Sequence, residues 1–174
     1  MRTIHNIALV GFMGTGKSTI GRIVAEQMRF GFVDTDDLIE EQSGRTISDI
    51  FAKEGEAAFR QCEQQVLAGL GGRRDLVIAA GGGLVVDPAN MASLKVHALV
   101  FWLVAPPETI WERVRTQTHR PLLRGPDALD KIRALLAARE ACYRRADVFI
   151  HSGLRAPREA ALQIAHQFNM ARRA

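Results

Sequence analysis

The chain has 174 residues and a net charge of +4, with 47% hydrophobic and 24% charged residues. This length suits one compact domain with a sizeable core, and no apolar run approaches the roughly 20 residues that a membrane-spanning helix needs. The composition therefore excludes a membrane span and favours an ordinary globular protein, which we expect to be a single domain over residues 1–174.

The charge and cysteine patterns indicate which partners and which cellular compartment to expect. Much of the Lys and Arg excess lies between residues 113 and 145, without the interleaved aromatic residues on which nucleic-acid bases stack. We therefore expect anionic small molecules rather than nucleic acid or a membrane as partners. The N-terminus leads directly into the first predicted strand, which leaves no room for a signal peptide. Cys62 and Cys142 lack metal-ligand spacing, so free thiols in a cytoplasmic protein are expected, with a disulfide as the alternative.

The first predicted elements are a strand, a glycine-rich loop and a helix. Residues 6–10 form an apolar run typical of a buried parallel strand, and residues 17–28 carry apolar residues at helical spacing. Between them, residues 11–18 read GFMGTGKS and match G-x-x-x-x-G-K-[ST] at every fixed position. Such a loop brings backbone N–H groups to phosphate oxygens. The alternative, a turn that carries a lysine by chance, is disfavoured by the flanking strand and helix.

This loop predicts a nucleotide phosphate site with two working side chains. Lys17 would neutralise the β- and γ-phosphates, and the Ser18 hydroxyl would ligate Mg²⁺. Two carboxylates follow the next predicted strand, residues 32–34: Asp34 and Asp36 point to the same side, because extended side chains alternate with a period of two. One can hold Mg²⁺ through water, and the other can accept a proton from a substrate hydroxyl. The alternative is that Asp36 or Asp37 caps the following helix.

Two further features lie along the middle of the chain. Arg60 and Glu63, three residues apart on a helix predicted over residues 55–70, can pair and hold the arginine ready for a carboxylate. An ordinary surface ion pair is the alternative. The apolar strand predicted over residues 76–80 ends in Gly81–Gly83, which permits close approach by a ligand at the carboxyl edge of the sheet, with a flexible turn as the alternative.

The remaining pattern alternates short apolar strands with longer helices, which predicts an α/β fold with a mostly parallel sheet. A polar stretch at residues 116–126 is typical of a surface loop that serves as a lid.

His97 is assigned to the surface or to a position behind the site. Further predicted strands cover 98–104 and 148–150, and further predicted helices cover 36–42, 46–52, 90–94, 107–116, 127–145 and 157–170. Arginines at Arg113, Arg115, Arg120 and Arg124 surround the loop, as a closing charge or as a solvated basic face.

Taken together, these residues resemble the shikimate kinase family over nearly the whole chain. The shared features are GFMGTGKST at 11–19, DTD at 34–36, FR at 59–60, GGG at 81–83, RPLL at 120–123 and the arginine of AAREACY at 139. The resemblance implies a three-layer α/β/α P-loop fold of the nucleoside-monophosphate-kinase type, with a five-stranded parallel sheet. It also implies transfer of the ATP γ-phosphate to the 3-hydroxyl of shikimate, in the pathway to aromatic amino acids.

The resemblance implies a role for each matching residue. Mg²⁺ is held by Ser18 and, through water, by Asp34, while Asp36 is the candidate base. The implied ATP-binding residues are Gly14, Thr15, Gly16, Lys17, Ser18, Thr19, Arg113 and Arg120. The implied substrate-binding residues are Asp36, Phe59, Arg60, Gly81, Gly82, Gly83 and Arg139, with Ile47 and Phe51 beside Phe59. The phosphate loop is then residues 11–18, the substrate region about 34–63 and the lid about 114–125, where Arg120 is implied to be catalytic with Lys17 and Asp36.

The sequence departs from the family pattern at two places, and two competing functions remain open. The family often has Arg-x-Pro-Leu-Tyr where this chain has Glu140–Tyr143 after Arg139, which allows a more regular helix and can shift the aim of that arginine. Residues 150–153 match the adenine loop loosely, so Ser152 and Arg155 are weak candidates. The competing functions are a kinase of another small acceptor, such as gluconate or a nucleotide, and a non-catalytic ATP-binding regulatory module. A monomer is the default expectation.

Overall fold

The computed structural model of the protein describes residues 3–115 and 127–173. Most of the predicted lid, with Arg120 and Arg124, lies outside these residues. The strands are β1 (Asn6–Val10), β2 (Gly31–Asp34), β3 (Leu76–Ala79), β4 (Ala98–Val104) and β5 (Val148–His151). The helices are α1 (Lys17–Met28), α2 (Thr35–Ser43), α3 (Ile47–Leu70), α4 (Pro88–His97), α5 (Pro107–Val114), α6 (Ala128–Tyr143) and α7 (Pro157–Arg173), with a short 3₁₀ helix at Leu84–Val86.

The five strands form one parallel sheet in the order β2-β3-β1-β4-β5, which confirms the predicted architecture. In the register of the sheet, Ala79 of β3 lies between Leu9 of β1 and Asp34 of β2. The segments that follow these three strands therefore leave the sheet at the same level. In an open parallel sheet this carboxyl edge is where ligands bind.

Helices cover both faces of the sheet, giving the three-layer arrangement. Along β1, Ala8 and Val10 face a core that includes residues of α3, α4 and α6. The alternate residues Ile7 and Leu9 face a second core, formed mainly with α1 and α7. This alternation follows from the period of two along a strand, and burial on both faces explains why β1 reads as a continuous apolar run.

Helix α3 carries a kink in its first half. The sequence predicts two helices, over residues 46–52 and 55–70, and the structure joins them with a non-helical residue at Gly55 (φ 81°, ψ −178°). Glycine is suited to this position because a positive φ costs it little. The kink separates the start of α3, capped by Thr46, from the part that carries Arg60.

Other features of the fold lie away from the carboxyl edge. His97 is buried at the end of α4, with its Nδ1 2.9 Å from Asn6 Nδ2, so its assignment to the surface or behind the site is wrong. Asn6 begins β1, which places this pair at the opposite edge of the sheet from the phosphate loop. Cys62 and Cys142 are both free thiols. Within residues 3–115 and 127–173, no helix has the length and apolar character to span a membrane.

Candidate active site

The glycine-rich loop between β1 and α1 wraps around the side chain of Lys17. The lysine Nζ donates to the carbonyl oxygens of Gly11 and Phe12, each at 2.9 Å. Gly14 (φ 77°) and Gly16 (φ 94°) lie in the left-handed region that non-glycine residues rarely adopt. Helix α1 then starts with a hydrogen bond from the Ile20 N–H to the Gly16 carbonyl at 2.8 Å. The loop thus has the backbone geometry of an anion site at a helix N-terminus.

Three side chains fix the loop from behind: Thr15 and Arg113, which the resemblance assigns to ATP binding, and Ser152, a weak candidate of the adenine loop. Buried Thr15 donates through Oγ1 to the Phe12 carbonyl at 2.8 Å, and buried Ser152 donates through Oγ to the Thr15 carbonyl at 2.7 Å. Arg113 donates to the carbonyls of Gly14 (3.2 Å) and Ser152 (3.1 Å). Arg113 therefore lies against the phosphate loop, beside the residues following β5. No local pattern links residues so far apart in the chain.

Ser18 and Asp34 meet at the edge of this loop. The Ser18 hydroxyl donates to Asp34 Oδ2 at 2.7 Å, while Asp34 Oδ1 accepts from the Asp36 N–H at 3.1 Å. Asp34, rather than Asp36 or Asp37, is therefore the residue that caps α2. Thr19 is exposed in the first turn of α1.

The Ser18–Asp34 pair suits a magnesium ion by its chemistry. Mg²⁺ in phosphate-transfer sites takes one or two protein oxygens and completes its octahedron with water and substrate phosphates. A hydroxyl and a carboxylate oxygen side by side at the phosphate loop supply such a donor set. Among the described residues there is no cluster of three or more His, Cys, Asp or Glu side chains that could hold a metal by themselves. The donor set thus fits an ion that arrives with a nucleotide.

Asp36 lies against the glycine segment Gly81–Gly83. A Cβ added to Gly81 would collide with Asp36 Oδ1, so a side chain there would displace the carboxylate. The neighbouring Thr35 is buried, and its Oγ1 accepts from the Gly81 N–H at 2.8 Å. Thr35, the first residue of α2, was not predicted as a site residue. Asp36 is thereby held beside a backbone that has no side chains.

Arg60 is held by two carboxylates. Its Nη1 donates to Glu63 Oε2 at 2.7 Å, and its Nε and Nη2 donate to Glu56 Oε1 at 3.3 and 2.9 Å. Nη1 also reaches the Gly83 carbonyl at 3.4 Å. Glu63 is only 1% exposed, and this burial raises the pKa of its carboxyl against the opposing effect of Arg60. The predicted Arg60–Glu63 pair is thus present, whereas the contact with Glu56 was not foreseen.

Arg139 approaches the same glycine segment from α6. Its guanidinium carbon lies 5.8 Å from the centre of the Phe12 ring, and its charge opposes the rise that burial causes in the pKa of Tyr143. Tyr143 in turn donates to the Gly82 carbonyl at 2.6 Å. Despite the absence of the family's proline, α6 runs unbroken to Tyr143. Arg60 and Arg139 therefore border the glycine segment from different helices.

An aromatic wall completes the substrate region. Phe59 is buried on α3, and its ring lies 4.7 Å from that of the more exposed Phe51. Ile47 packs against the same core. One edge of the sheet thus combines a phosphate-type loop, an oxygen donor pair, a carboxylate beside bare backbone and two arginines. This arrangement is suited to phosphoryl transfer onto a small carboxylated alcohol.

Comparisons with known proteins agree with this chemistry. A family model described as Shikimate kinase matches residues 13–169. A shikimate kinase of Symbiobacterium thermophilum is 49% identical over 143 residues, covering 81% of this chain and 82% of the relative. That of Thermodesulfovibrio yellowstonii is 40% identical over 165 residues, covering 95% of each. The solved structure of shikimate kinase from Acinetobacter baumannii in complex with shikimate has a TM-score of 0.90 and 39% identity, covering 98% of this chain and 96% of that one.

Proposed function

The chain belongs to the shikimate kinase family, and we propose on this basis that it transfers the γ-phosphate of ATP to the 3-hydroxyl of shikimate. The products are shikimate 3-phosphate and ADP, in the pathway to chorismate and the aromatic amino acids. The observation that carries the proposal is the meeting of Lys17 and the Ser18–Asp34 pair with Asp36 and the Arg60–Glu63 pair at one edge of the sheet.

On the nucleotide side, the loop N–H groups and Lys17 hold the phosphates. The lysine ammonium already lies at the loop, and it exchanges carbonyl contacts for the β- and γ-phosphate oxygens of bound ATP. Ser18, and Asp34 through water, would hold Mg²⁺, which would neutralise charge on the phosphates. Thr15, Thr19 and the loop glycines complete the phosphate-binding site. Arg113 packs on the adenine.

On the acceptor side, the charges match the groups of shikimate. The Arg60 and Arg139 guanidinium groups bind its single carboxylate, because a guanidinium presents paired N–H donors in the geometry of a carboxylate. The backbone of Gly81–Gly83 contacts the ring, and Phe59 forms an apolar wall. Asp36 accepts a hydrogen bond from the 3-hydroxyl.

The transfer step needs little more than alignment and charge stabilisation. The 3-oxygen of shikimate forms a bond to the γ-phosphorus while the bond to the β,γ-bridging oxygen breaks, and ADP leaves with that electron pair. Asp36 takes the proton that the hydroxyl loses. Lys17 faces the charge that grows on the phosphates, and we assign the same task to Arg120 of the lid, which lies outside the described residues. We further propose that the protein works as a cytoplasmic monomer of one domain.

The direct test is identification of the product. Incubation with Mg-ATP and shikimate should give a compound heavier by one phosphoryl group, with its phosphorus coupled to the proton at carbon 3 in a ³¹P–¹H NMR spectrum. Omitting the protein or the shikimate serves as the control. Phosphate on a different hydroxyl would contradict the assignment of Asp36, and release of free phosphate alone would contradict an acceptor kinase.

A further inference from the structure

A buried tyrosine lies behind the glycine segment that borders the acceptor site. Tyr143 ends α6 and is 0% exposed. Its ring is stacked on Trp102 of β4, with centroids 5.9 Å apart and planes at 27°. Its hydroxyl donates to the Gly82 carbonyl at 2.6 Å. Both the ring and the hydroxyl are therefore fixed, and the hydroxyl is aimed at the backbone of the glycine segment.

Arg139 lies close to the same hydroxyl. The two residues are four apart on α6, so their side chains lie on one face of the helix. The charge of the Arg139 guanidinium acts on the phenol and opposes the rise in the pKa of Tyr143. A phenol has one proton to donate and lone pairs that accept, so it can donate to Gly82 and accept from Arg139 at once. Burial raises the pKa of Tyr143 above its ordinary 10.0, against the opposing effect of Arg139, so the hydroxyl keeps its proton at neutral pH.

We propose that Tyr143 is a positioning residue, which fixes the Gly82–Gly83 peptide and Arg139 in the orientations that bind the acceptor. The inference rests on the proposed function, since it assigns both groups to the shikimate side of the site. Tyr143 itself is placed behind these groups and acts through them.

The geometry of the peptide explains how the hydroxyl acts at a distance. A trans peptide is planar, and its C=O and N–H bonds point in opposite directions. Holding the Gly82 carbonyl toward Tyr143 therefore directs the Gly83 N–H away from it. Within residues 3–115 and 127–173, no acceptor for this N–H is found. The Leu84 N–H donates to the Gly81 carbonyl at 3.0 Å and closes a turn around this peptide. Glycine allows the central peptide of such a turn more than one orientation, and the hydrogen bond from Tyr143 favours one of them.

The hydrogen bond to Gly82 can be removed without removing the ring. Tyr143→Phe keeps the stacking on Trp102 but leaves the half-buried Gly82 carbonyl without its donor and removes the phenol oxygen that lies beside Arg139. Loss of the partner of a polar group that is shielded from water weakens the arrangement by about a factor of ten. We expect the dissociation constant for shikimate, measured by calorimetry without nucleotide, to rise about tenfold. The KM for shikimate should rise in parallel, while the KM for ATP changes by less than about twofold.

Asn90→Leu is a matched control. Asn90 is buried on α4 and donates through Nδ2 to the Leu84 carbonyl at 2.9 Å, so it also ties the segment after β3 in place, but its hydrogen bond goes to neither Gly82 nor Arg139. This variant should lower the melting temperature and leave the affinity for shikimate within about twofold of the parent.

Each outcome decides between a positioning and a structural role. If Tyr143→Phe binds shikimate as tightly as the parent, or if Asn90→Leu weakens binding as much as Tyr143→Phe, the positioning role is refuted. Equal increases in both KM values would likewise show general loosening of the site. If the unchanged protein binds ATP but not shikimate, the proposed function fails, and the inference fails with it.

Discussion

The two carboxylates around Arg60 should have opposite effects on acceptor binding. Glu63 is 1% exposed and fixes Nη1 from within the core, whereas Glu56 is 68% exposed and occupies the Nε–Nη2 side of the same guanidinium. A substrate carboxylate binds most strongly along such a paired-donor side. We therefore predict that Glu63→Gln weakens shikimate binding and that Glu56→Gln leaves it unchanged or strengthens it.

The magnitude follows from the type of hydrogen bond in each pair. A hydrogen bond to a charged group contributes about 1.5–3 kcal/mol, and a bond from the Arg60 cation to a neutral Gln lies at the lower end of this range. Glu63→Gln should therefore lose about 1–1.5 kcal/mol of the interaction that holds Arg60. This corresponds to an increase of about tenfold in the KM for shikimate. An exposed pair such as Arg60–Glu56 is worth about 0–1 kcal/mol, so removing it lowers that KM by about fivefold at most.

Steady-state kinetics at saturating ATP measure the acceptor KM of both variants. Each variant serves as the control for the other, because both remove one negative charge next to the same guanidinium. If Glu56→Gln raises the KM for shikimate as much as Glu63→Gln does, Glu56 does not compete with the substrate carboxylate for Arg60, and the proposed difference between the two carboxylates is refuted. If neither variant changes this KM, Arg60 does not bind the acceptor through its guanidinium.

The pH dependence of thermal stability is a second test of Glu63. Burial raises the pKa of Glu63 above its ordinary 4.5. A carboxyl whose folded pKa is raised adds stability that is fully present below the ordinary value and lost as pH rises through the folded pKa. As the pH rises above about 4.5, the parent should therefore lose this contribution, and Glu63→Gln should not. A larger stability difference in favour of the parent at the higher pH would contradict the raised pKa.

Three further substitutions test separate parts of the site. Lys17→Ala should lower kcat by at least about 100-fold without changing the far-ultraviolet circular dichroism, and near-normal turnover would remove this lysine from the mechanism. Arg139→Ala should raise the KM for shikimate by at least about tenfold and that for ATP by less than about twofold; equal changes would argue against a carboxylate clamp. Gly81→Ala places a Cβ against Asp36 Oδ1 and should lower kcat by at least about tenfold. Gly69→Ala, where an added Cβ meets nothing within 4 Å, is its control, and a similar loss there would refute the steric argument.

Much of the fold could be predicted because its signals are local. β1 and α1 have the predicted bounds, since an uninterrupted apolar strand, a glycine loop and a helical apolar pattern follow one another without ambiguity. The bounds of α4 were less clear: the structure begins it at Pro88, capped by Asp87, two residues before the predicted start. The order of strands in the sheet was not predicted, because it depends on contacts between distant segments.

The contacts of the candidate site also divide into those that local sequence signals predict and those that they do not. The Arg60–Glu63 pair was predicted from a helical spacing of three. Ser18 and Asp34 were both assigned to Mg²⁺, but their direct hydrogen bond was not predicted. The bonds from Tyr143 to Gly82 and from Ser152 to Thr15 were not predicted either, because they join residues 61 and 137 positions apart. Such contacts leave no periodic trace in a single sequence. The roles of Arg120 and the rest of the lid stay predictions.

Acceptor specificity tests the central claim most directly. ADP release from Mg-ATP, followed in a coupled assay, should be fast with shikimate and near background with gluconate, with nucleoside monophosphates and without an acceptor. Turnover with one of the other acceptors instead would keep the phosphate loop but contradict the carboxylate clamp of Arg60 and Arg139. ATP binding without turnover on any acceptor would contradict the kinase activity itself and favour a regulatory module.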